Sequence, residues 1–340
     1  MAWEPEKQLQ GGRYTIKKVI GHGRFALTYL ARDQNNDAVV IKTPSDEVRN
    51  SPDFDRLQQV FVQEAFKLAK CSHPHIVKAE APFQEDGVWC IVMEYIEGID
   101  LASRAQAMLA EDKALKYIQQ IGEALIEIHN HGLLHRDVKP ANIMLRAGQD
   151  EAVLIDFGLA RGFNYKLTMT RVEEIAGGFA PLELYSRQAT LGSYTDVYSL
   201  GATLYQLLTG EVPVSADKRK LSSNVRLIPP KEINPQISKP VNRAILWAME
   251  LEAKDRPQSV QEWLDSLVFK NKTAATSQPL NSQTQSQSSQ RFENWQIIIA
   301  AVAAIGALLA GIEGVTSLLE FLDDKDEPKP TLNQPPKPNR

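Results

Sequence analysis

The chain has 340 residues, of which 43% are hydrophobic and 24% are charged, as is ordinary for a globular protein. This length accommodates one large two-lobed domain with additional segments, and the formal net charge of −4 argues against a nucleic-acid-binding protein. The two cysteines, Cys71 and Cys90, lack metal-ligand spacing and are typical of reduced core thiols in a cytosolic protein. The N-terminal residues are polar and acidic, unlike a secretory signal.

The first hundred residues alternate strand-like runs with turns. Short β-branched runs predict strands at residues 14–20, 38–42 and 88–93. Apolar residues recur at helical spacing over residues 54–70, which predicts one helix between the second and third of these strands.

A glycine-rich turn, residues 21–26, follows the first predicted strand and reads G-x-G-x-x-A. Glycines let the backbone of such a turn approach phosphates closely and point N–H groups at them. A dinucleotide-binding fold would need a helix directly after the turn, whereas residues 27–31 continue as a strand. The pattern therefore favours a kinase-type phosphate loop over a Rossmann turn.

Lys42 ends the predicted strand at 38–42, in a sequence that matches the V-A-I-K pattern of the third strand in kinases. An ammonium group at this place would neutralise the α- and β-phosphates of a nucleotide. Its partner should be a carboxylate on the next helix, and Glu64 is the best candidate because it lies in the middle of that helix.

Two motifs further along the chain carry the chemistry of phosphoryl transfer. Residues 135–142 read H-R-D-x-K-x-x-N, and residues 156–158 read D-F-G, joined by a strand-like run at 152–155. In this chemistry the first aspartate, here Asp137, accepts the proton of the attacking hydroxyl. The asparagine and the second aspartate, here Asn142 and Asp156, hold the metal ions that neutralise the phosphates.

The chain becomes mostly helical after residue 98, with predicted helices at 115–131, 193–209, 238–251 and 259–268. A small β-rich lobe followed by a larger helical lobe is therefore the predicted architecture, of the α+β class.

On these motifs the chain resembles a bacterial, eukaryotic-like (Hanks-type) serine/threonine protein kinase over residues 14–269. The resemblance implies the bilobal protein-kinase fold, ATP and Mg²⁺ as cofactors, and transfer of the γ-phosphoryl group to protein substrates. It implies that Lys139 stabilises the transferring group and indicates Ser/Thr acceptors, and that adenine contacts the hinge backbone at 94–96, beside Met93. The residues that we expect to contact ATP are Ile20, Gly21, His22, Gly23, Arg24, Phe25, Ala26, Thr28, Lys42, Glu64, Glu94 and Ile96.

The resemblance also implies supporting roles and one departure. Asp196 would brace the catalytic loop, and Arg256 would pair with Glu183 of an A-P-L-E motif that has one residue more than the usual A-P-E. Ala176 stands where Ser/Thr kinases usually have a threonine that hydrogen-bonds the catalytic Asp and Lys. This difference concerns the positioning of the peptide substrate and removes no nucleotide or metal ligand.

Arg136 suggests control by phosphorylation, because in the resembled family this arginine often meets a phosphate on the activation loop. Thr168 and Thr170 are the candidate acceptors. We hypothesise that one of them is autophosphorylated; the alternative is that both are plain polar loop residues.

The C-terminal part divides into three segments. Residues 270–294 are rich in Ser and Gln and predict a flexible linker, and residues 323–340 predict a disordered tail. Residues 295–313 contain the longest uncharged apolar run and predict a transmembrane helix. The chain would then be a single-pass membrane protein with a cytoplasmic kinase domain.

Small residues at four-residue spacing, Ala303, Ala307 and Gly311, would let this helix pack closely in a homodimer. The alternative is a hydrophobic helix that docks on a partner or lies in the membrane interface, which leaves a cytoplasmic, membrane-associated protein.

Two other functions fit the same fold. A catalytically silent pseudokinase scaffold is disfavoured because Lys42, Asp137, Asn142 and Asp156 are all present. A kinase for small molecules is disfavoured because, by resemblance, the activation segment with A-P-L-E is typical of enzymes that act on proteins.

Overall fold

The computed structural model describes residues 2–23, 26–156, 177–186 and 188–267. Several predictions lie outside the described residues: those on Arg24, Phe25, Thr168, Thr170 and Ala176, and those on the segments 270–294, 295–313 and 323–340.

The N-terminal lobe is built on an antiparallel sheet. Its strands are β1 (Gln8–Leu9), β2 (Tyr14–His22), β3 (Ala26–Asp33), β4 (Ala38–Pro44), β5 (Phe83–Glu85) and β6 (Val88–Glu94), in the spatial order β1-β2-β3-β4-β6-β5. Burial alternates along the first residues of β2, so that Tyr14 and Ile16 join Tyr29 and Ile41 in a compact apolar cluster on one face of the sheet.

Two helices follow β4, α1 (Asp46–Arg49) and α2 (Phe54–Leu68). The buried residues of α2 include Phe61, Ala65 and Leu68, which are spaced by three or four positions and therefore share one face. This face packs in the same apolar core as Ile91 and Met93 of β6. Glu64 lies three residues after Phe61 and four before Leu68, so it borders this buried face, and its side chain is only 15% exposed.

The C-terminal lobe is mainly helical. Its helices are α3 (Glu111–Asn130), α4 (Ser193–Thr209), α5 (Ala216–Leu221), α6 (Pro230–Ile233), α7 (Lys239–Ala248) and α8 (Val260–Leu267). Helix α4 is buried over most of its length and packs against α3, α7 and α8. The predicted bilobal architecture, with a β-rich first lobe and a helical second lobe, is confirmed.

A small antiparallel sheet brings the predicted metal ligands together. It consists of β7 (Gly98–Asp100), β8 (Ile143–Arg146) and β9 (Ala152–Leu154), with Ile143 of β8 opposite Leu154 of β9. Strand β8 begins directly after Asn142, and β9 ends two residues before Asp156. The Ile155 N–H donates to the Asn142 carbonyl at 2.9 Å, so both ligands lie at the same end of the sheet.

Within the described part of the chain, no helix is both long enough and apolar enough to cross a membrane.

Candidate active site

The catalytic-loop residues that the sequence predicts are brought together around Asp137. Lys139 Nζ lies 3.0 Å from Asp137 Oδ2, and Asn142 Nδ2 lies 3.0 Å from the same oxygen. Asn142 Nδ2 also donates to the Asp137 carbonyl at 2.7 Å. A carboxylate, a cation and a neutral amide therefore share one hydrogen-bonded cluster.

Asp196, near the start of α4, holds the backbone of this loop in place. Its carboxylate accepts hydrogen bonds from the backbone N–H groups of His135 at 2.9 Å and Arg136 at 2.7 Å. The third partner is His129 Nε2, at 2.8 Å. Burial by itself raises the pKa of Asp196, but the hydrogen bond and charge of His129 outweigh it and hold this pKa below its ordinary value. The predicted brace is present.

His135 is fully buried and is fixed in one tautomer. Its Nε2 lies 3.0 Å from the Ile155 carbonyl, to which it donates, while Nδ1 accepts from the Asp137 backbone N–H at 3.2 Å. Burial lowers the pKa of His135, so the neutral form persists. A neutral His135 therefore ties the catalytic loop to the segment that carries Asp156.

The predicted ion pair between Lys42 and Glu64 is not formed, which corrects the sequence analysis. The ammonium group of the buried Lys42 contacts Asp156 Oδ1 instead. Glu64 Oε1 accepts from Arg136 Nη2. Glu64 therefore pairs with a cation different from the one predicted, because Arg136 contacts Glu64 while Lys42 contacts Asp156.

Glu64 is only half satisfied in this arrangement. Its Oε2 atom is buried and has no hydrogen-bond partner within the described residues. Burial raises the pKa of Glu64, and Arg136 opposes this effect without cancelling it. A buried carboxylate oxygen without a hydrogen-bond partner destabilises the folded chain, so a hydrogen bond from a second cation to Glu64 Oε2 would be stabilising.

Two residues of the site hold strained backbone conformations. Arg136 has φ of 63° and Asp156 has φ of 57°, a left-handed region that residues other than glycine rarely adopt. Such strain persists only where the surroundings impose it, and it is concentrated at functional sites.

The residues predicted to bind magnesium fit that ion. The side-chain nitrogen Nδ2 of Asn142 donates to Asp137. The other end of the same amide, the oxygen Oδ1, therefore points away from Asp137 and can serve as a metal ligand. The Asp156 side chain is 48% exposed and offers carboxylate oxygens. Mg²⁺ characteristically takes one or two protein oxygen ligands and completes its shell with water and substrate phosphates. Among the described residues no group of three or more His, Cys, Asp or Glu side chains could hold a metal ion.

The phosphate-loop residues that can be described form the β2–β3 hairpin. Gly21 and His22 end β2, Ala26 and Thr28 begin β3, and Gly23 donates to the Ala26 carbonyl at 3.0 Å. A Cβ atom on Gly21 would lie 3.2 Å from the Thr28 Cβ, so a side chain there would crowd the hairpin. The exposed Ile20 precedes this turn.

The predicted hinge lies between β6 and β7. Met93 is buried, Glu94 ends β6, and Ile96 is buried in the connection. The Glu94 carboxylate accepts from the Lys78 backbone N–H at 2.9 Å and contacts Arg146 Nη2 with both oxygens at 3.2 Å. The sequence does not predict this contact between Glu94 of the hinge and Arg146 at the end of β8.

A buried ion pair fixes the A-P-L-E segment. Arg256 Nη1 lies 2.7 Å from Glu183 Oε1, and Nη2 lies 3.0 Å from Oε2. Thr195 Oγ1 also donates to Glu183, at 3.1 Å. The predicted contact of Glu183 with Arg256 is therefore present in spite of the extra residue in the motif.

Comparison with known protein families gives one match over most of the chain. The family model described as "Protein kinase domain" matches residues 14–270. A Clostridium perfringens protein described as a probable serine/threonine-protein kinase is 31% identical over 273 residues, covering 76% of this chain and 38% of the relative. Serine/threonine-protein kinase PrkC of Bacillus subtilis is 32% identical over 261 residues, covering 74% and 39%. The chain thus spans about two fifths of the length of these relatives.

Solved structures show the same similarity. The structure described as "PpkA-294 apo form" superimposes with a TM-score of 0.66 at 28% identity, covering 78% of this chain and 99% of the other. The Mycobacterium tuberculosis PknI kinase domain gives a TM-score of 0.60 at 25% identity, covering 78% and 98%.

Proposed function

The chain belongs to the protein kinase family, and on this premise we propose that it is a serine/threonine protein kinase that uses ATP and Mg²⁺. The names of its relatives in Clostridium perfringens and Bacillus subtilis support this activity. The observation that carries the proposal is the cluster of Lys139 and Asn142 around the Asp137 carboxylate, each at 3.0 Å.

In the proposed reaction Asp137 accepts the proton of a Ser or Thr hydroxyl as its oxygen attacks the γ-phosphorus of ATP. The bond to the β–γ bridging oxygen breaks, and ADP leaves with that oxygen. Lys139 donates to the transferring phosphoryl group and offsets its negative charge. Asn142 and Asp156 would hold Mg²⁺, which neutralises the phosphates when it is bound.

The nucleotide would lie between the lobes, with adenine at the Glu94–Ile96 backbone and the phosphates under the β2–β3 hairpin. Ile20, Gly21, His22, Gly23, Arg24, Phe25, Ala26 and Thr28 are the proposed contacts from that hairpin. Lys42 would meet the α- and β-phosphates, and Glu64 would orient it.

In this proposal the two observed ion pairs belong to a resting state of the protein, in which no nucleotide is bound. Lys42 contacts Asp156, and Glu64 contacts Arg136, so both cation–carboxylate pairs must exchange before Lys42 can bind phosphate and Asp156 can bind metal. The buried, unpartnered Oε2 of Glu64 supports this exchange because Lys42 would satisfy it. We propose that a phosphate on Thr168 or Thr170 binds Arg136 in place of Glu64 and so favours the exchange.

We further propose that residues 14–269 form the catalytic domain, followed by the linker at 270–294, a membrane helix at 295–313 and the tail at 323–340. The kinase domain would then act at the cytoplasmic face of a membrane, on protein substrates. The apolar run at 297–312 carries this proposal, and the small residues within it support a homodimer.

The test is transfer from γ-labelled ATP to a protein acceptor in the presence of Mg²⁺, followed by identification of the labelled amino acid. We expect label on serine or threonine and loss of label when EDTA removes the metal. Nucleotide binding without any transfer would support the pseudokinase scaffold, and transfer only to a small-molecule acceptor would support the small-molecule kinase.

Alkaline carbonate washing of membranes tests the proposed membrane helix at 295–313. Release of the protein into the supernatant would refute it.

A further inference from the structure

The structure assigns Arg146 as a positioning residue for the adenine-binding hinge, an inference that rests on the proposed nucleotide site. Arg146 is the last residue of β8, and its side chain reaches back to the end of β6. Its Nη2 lies 3.2 Å from each carboxylate oxygen of Glu94. Both side chains are about three-quarters buried, with exposed fractions of 25% and 23%, so solvent screens the pair only in part.

Glu94 is held from both lobes at once. Its backbone N–H donates to the Lys78 carbonyl at 3.0 Å, and its Oε1 accepts from the Lys78 N–H at 2.9 Å. Arg146 supplies the contact from the β7–β8–β9 sheet. Without Arg146, within the described residues, the Glu94 carboxylate would retain only the Lys78 contact and would lose its neutralising charge.

Two backbone contacts bind the rest of the hinge to β8. The Ala147 N–H donates to the Glu97 carbonyl at 2.8 Å. Gly98 lies so close to the same strand that a Cβ atom on it would be 1.8 Å from the Leu145 carbonyl oxygen. The side-chain pair and these backbone contacts lie at the two ends of residues 94–98, and Arg146 together with Lys78 holds Glu94, the first of these residues.

Strand β8 also leads directly to the metal ligands. It begins after Asn142 and pairs with β9, which precedes Asp156. Arg146 therefore sits at the end of β8 opposite to Asn142, and one four-residue strand links the adenine end of the site to its phosphate end. Loss of the Arg146–Glu94 contact should loosen the adenine end while leaving Asp137, Lys139 and their contacts in place.

The test compares the full-length wild-type chain with Arg146→Gln and Arg146→Lys, using Lys220→Gln as the control. Lys220 forms an exposed pair with Glu252 at 2.6 Å on the helical lobe, away from the hinge sequence. We measure the KM for ATP, kcat and the Kd of adenosine, a probe that carries the base without phosphates, together with the thermal midpoint.

For Arg146→Gln we expect the KM for ATP and the Kd of adenosine to rise together by about three- to fivefold, with kcat changed less than about twofold. Arg146→Lys, which keeps the charge, should recover part of this loss, and Lys220→Gln should match the wild type. Unchanged adenosine affinity in folded Arg146→Gln would overturn the inference, as would a loss of ATP affinity without a loss of adenosine affinity. If the affinity for adenosine falls in Arg146→Gln but the wild-type chain transfers no phosphate, the proposed activity is refuted and the positioning role of Arg146 stands.

Discussion

Arg136, next to the proposed catalytic base, donates to Glu64 of α2, so the helix carboxylate contacts the catalytic loop instead of Lys42. Lys42 in turn contacts Asp156. Residues that the sequence analysis assigned to ATP, to metal and to the activation loop thus neutralise one another. The consequences can be measured separately for binding, stability and turnover.

Removal of the Arg136 side chain should strengthen nucleotide binding to the unphosphorylated protein. In an Asp137→Asn background, which prevents autophosphorylation, Arg136→Gln frees Glu64 to satisfy its unpartnered oxygen with Lys42. We expect Mg-ADP to bind about two- to fivefold more tightly, because less of the binding energy is used to shift the conformational equilibrium. Isothermal titration calorimetry gives the comparison, with Arg13→Gln, which removes the surface pair with Glu80, as the control. Equal or weaker affinity would show that Arg136 does not restrain Glu64.

Replacement of Asp196 should affect both stability and turnover. Asp196→Asn removes the charge that accepts from two backbone N–H groups of the catalytic loop and from His129. We expect a loss of about 2–4 kcal/mol in the free energy of unfolding, since hydrogen bonds to a charged group are lost in a buried place. Turnover should fall at least about tenfold because the loop that carries Asp137 is less well positioned. Urea denaturation and steady-state kinetics measure the two effects, and full activity in the variant would argue against the brace.

The pH dependence of this stability has a definite sign. The pKa of Asp196 is lower in the folded chain than its ordinary value of 3.8, so its contribution is present above pH 3.8 and is lost as pH falls through the folded pKa. The difference in unfolding free energy between wild type and Asp196→Asn should therefore not shrink between pH 7 and pH 5, and it should shrink only in strong acid. A difference that already shrinks between pH 7 and pH 5 would contradict this assignment.

The buried pair of Glu183 and Arg256 should be costly to break on one side only. Both side chains are almost fully buried, with exposed fractions of 6% and 0%. Among the residues that the structure describes, Arg256→Met leaves the buried Glu183 carboxylate with only the contact from Thr195, and we expect a loss of about 3–5 kcal/mol. The double variant Glu183→Leu/Arg256→Met should recover much of this loss because no unpaired charge remains. Chemical denaturation of the two variants compares them, and equal stability losses would argue against an uncompensated charge as the cause.

The long elements could be predicted from the sequence because their patterns are strong. The helix predicted at 193–209 matches α4, and the helix predicted at 54–70 matches α2 apart from its last two residues. The apolar periodicity predicts the start of α3 at 115, four residues after its observed start at Glu111, although two acidic residues in the first turn indicate that earlier start.

The sequence pattern does not predict the shortest strands, for a different reason. Strands β1, β5, β7 and β8 have two to four residues each, too few to show a period, and they exist because neighbouring strands pair with them. Strand β8 is the one of these that bears on the proposed function, since it begins directly after Asn142 and ends at Arg146.

The motifs predict the site residues, but the predicted pairing of Lys42 with Glu64 is wrong. Asp137, Lys139 and Asn142 lie within one local loop, so the spacing in the sequence already brings them together. Lys42 and Asp156 are 114 residues apart and Glu64 and Arg136 are 72 apart. Which cation meets which carboxylate depends on the relative placement of α2, β4 and the catalytic loop, which no local pattern encodes.

Single-turnover phosphoryl transfer by Asp137→Asn, beside the wild type, tests the proposed activity most directly. Asparagine keeps the shape of the side chain but cannot accept the proton of the attacking hydroxyl. With Mg-ATP saturating, we predict a rate at least about a hundredfold lower in the variant, while the Kd of Mg-ADP stays within about twofold. Transfer at the wild-type rate by Asp137→Asn would contradict the account.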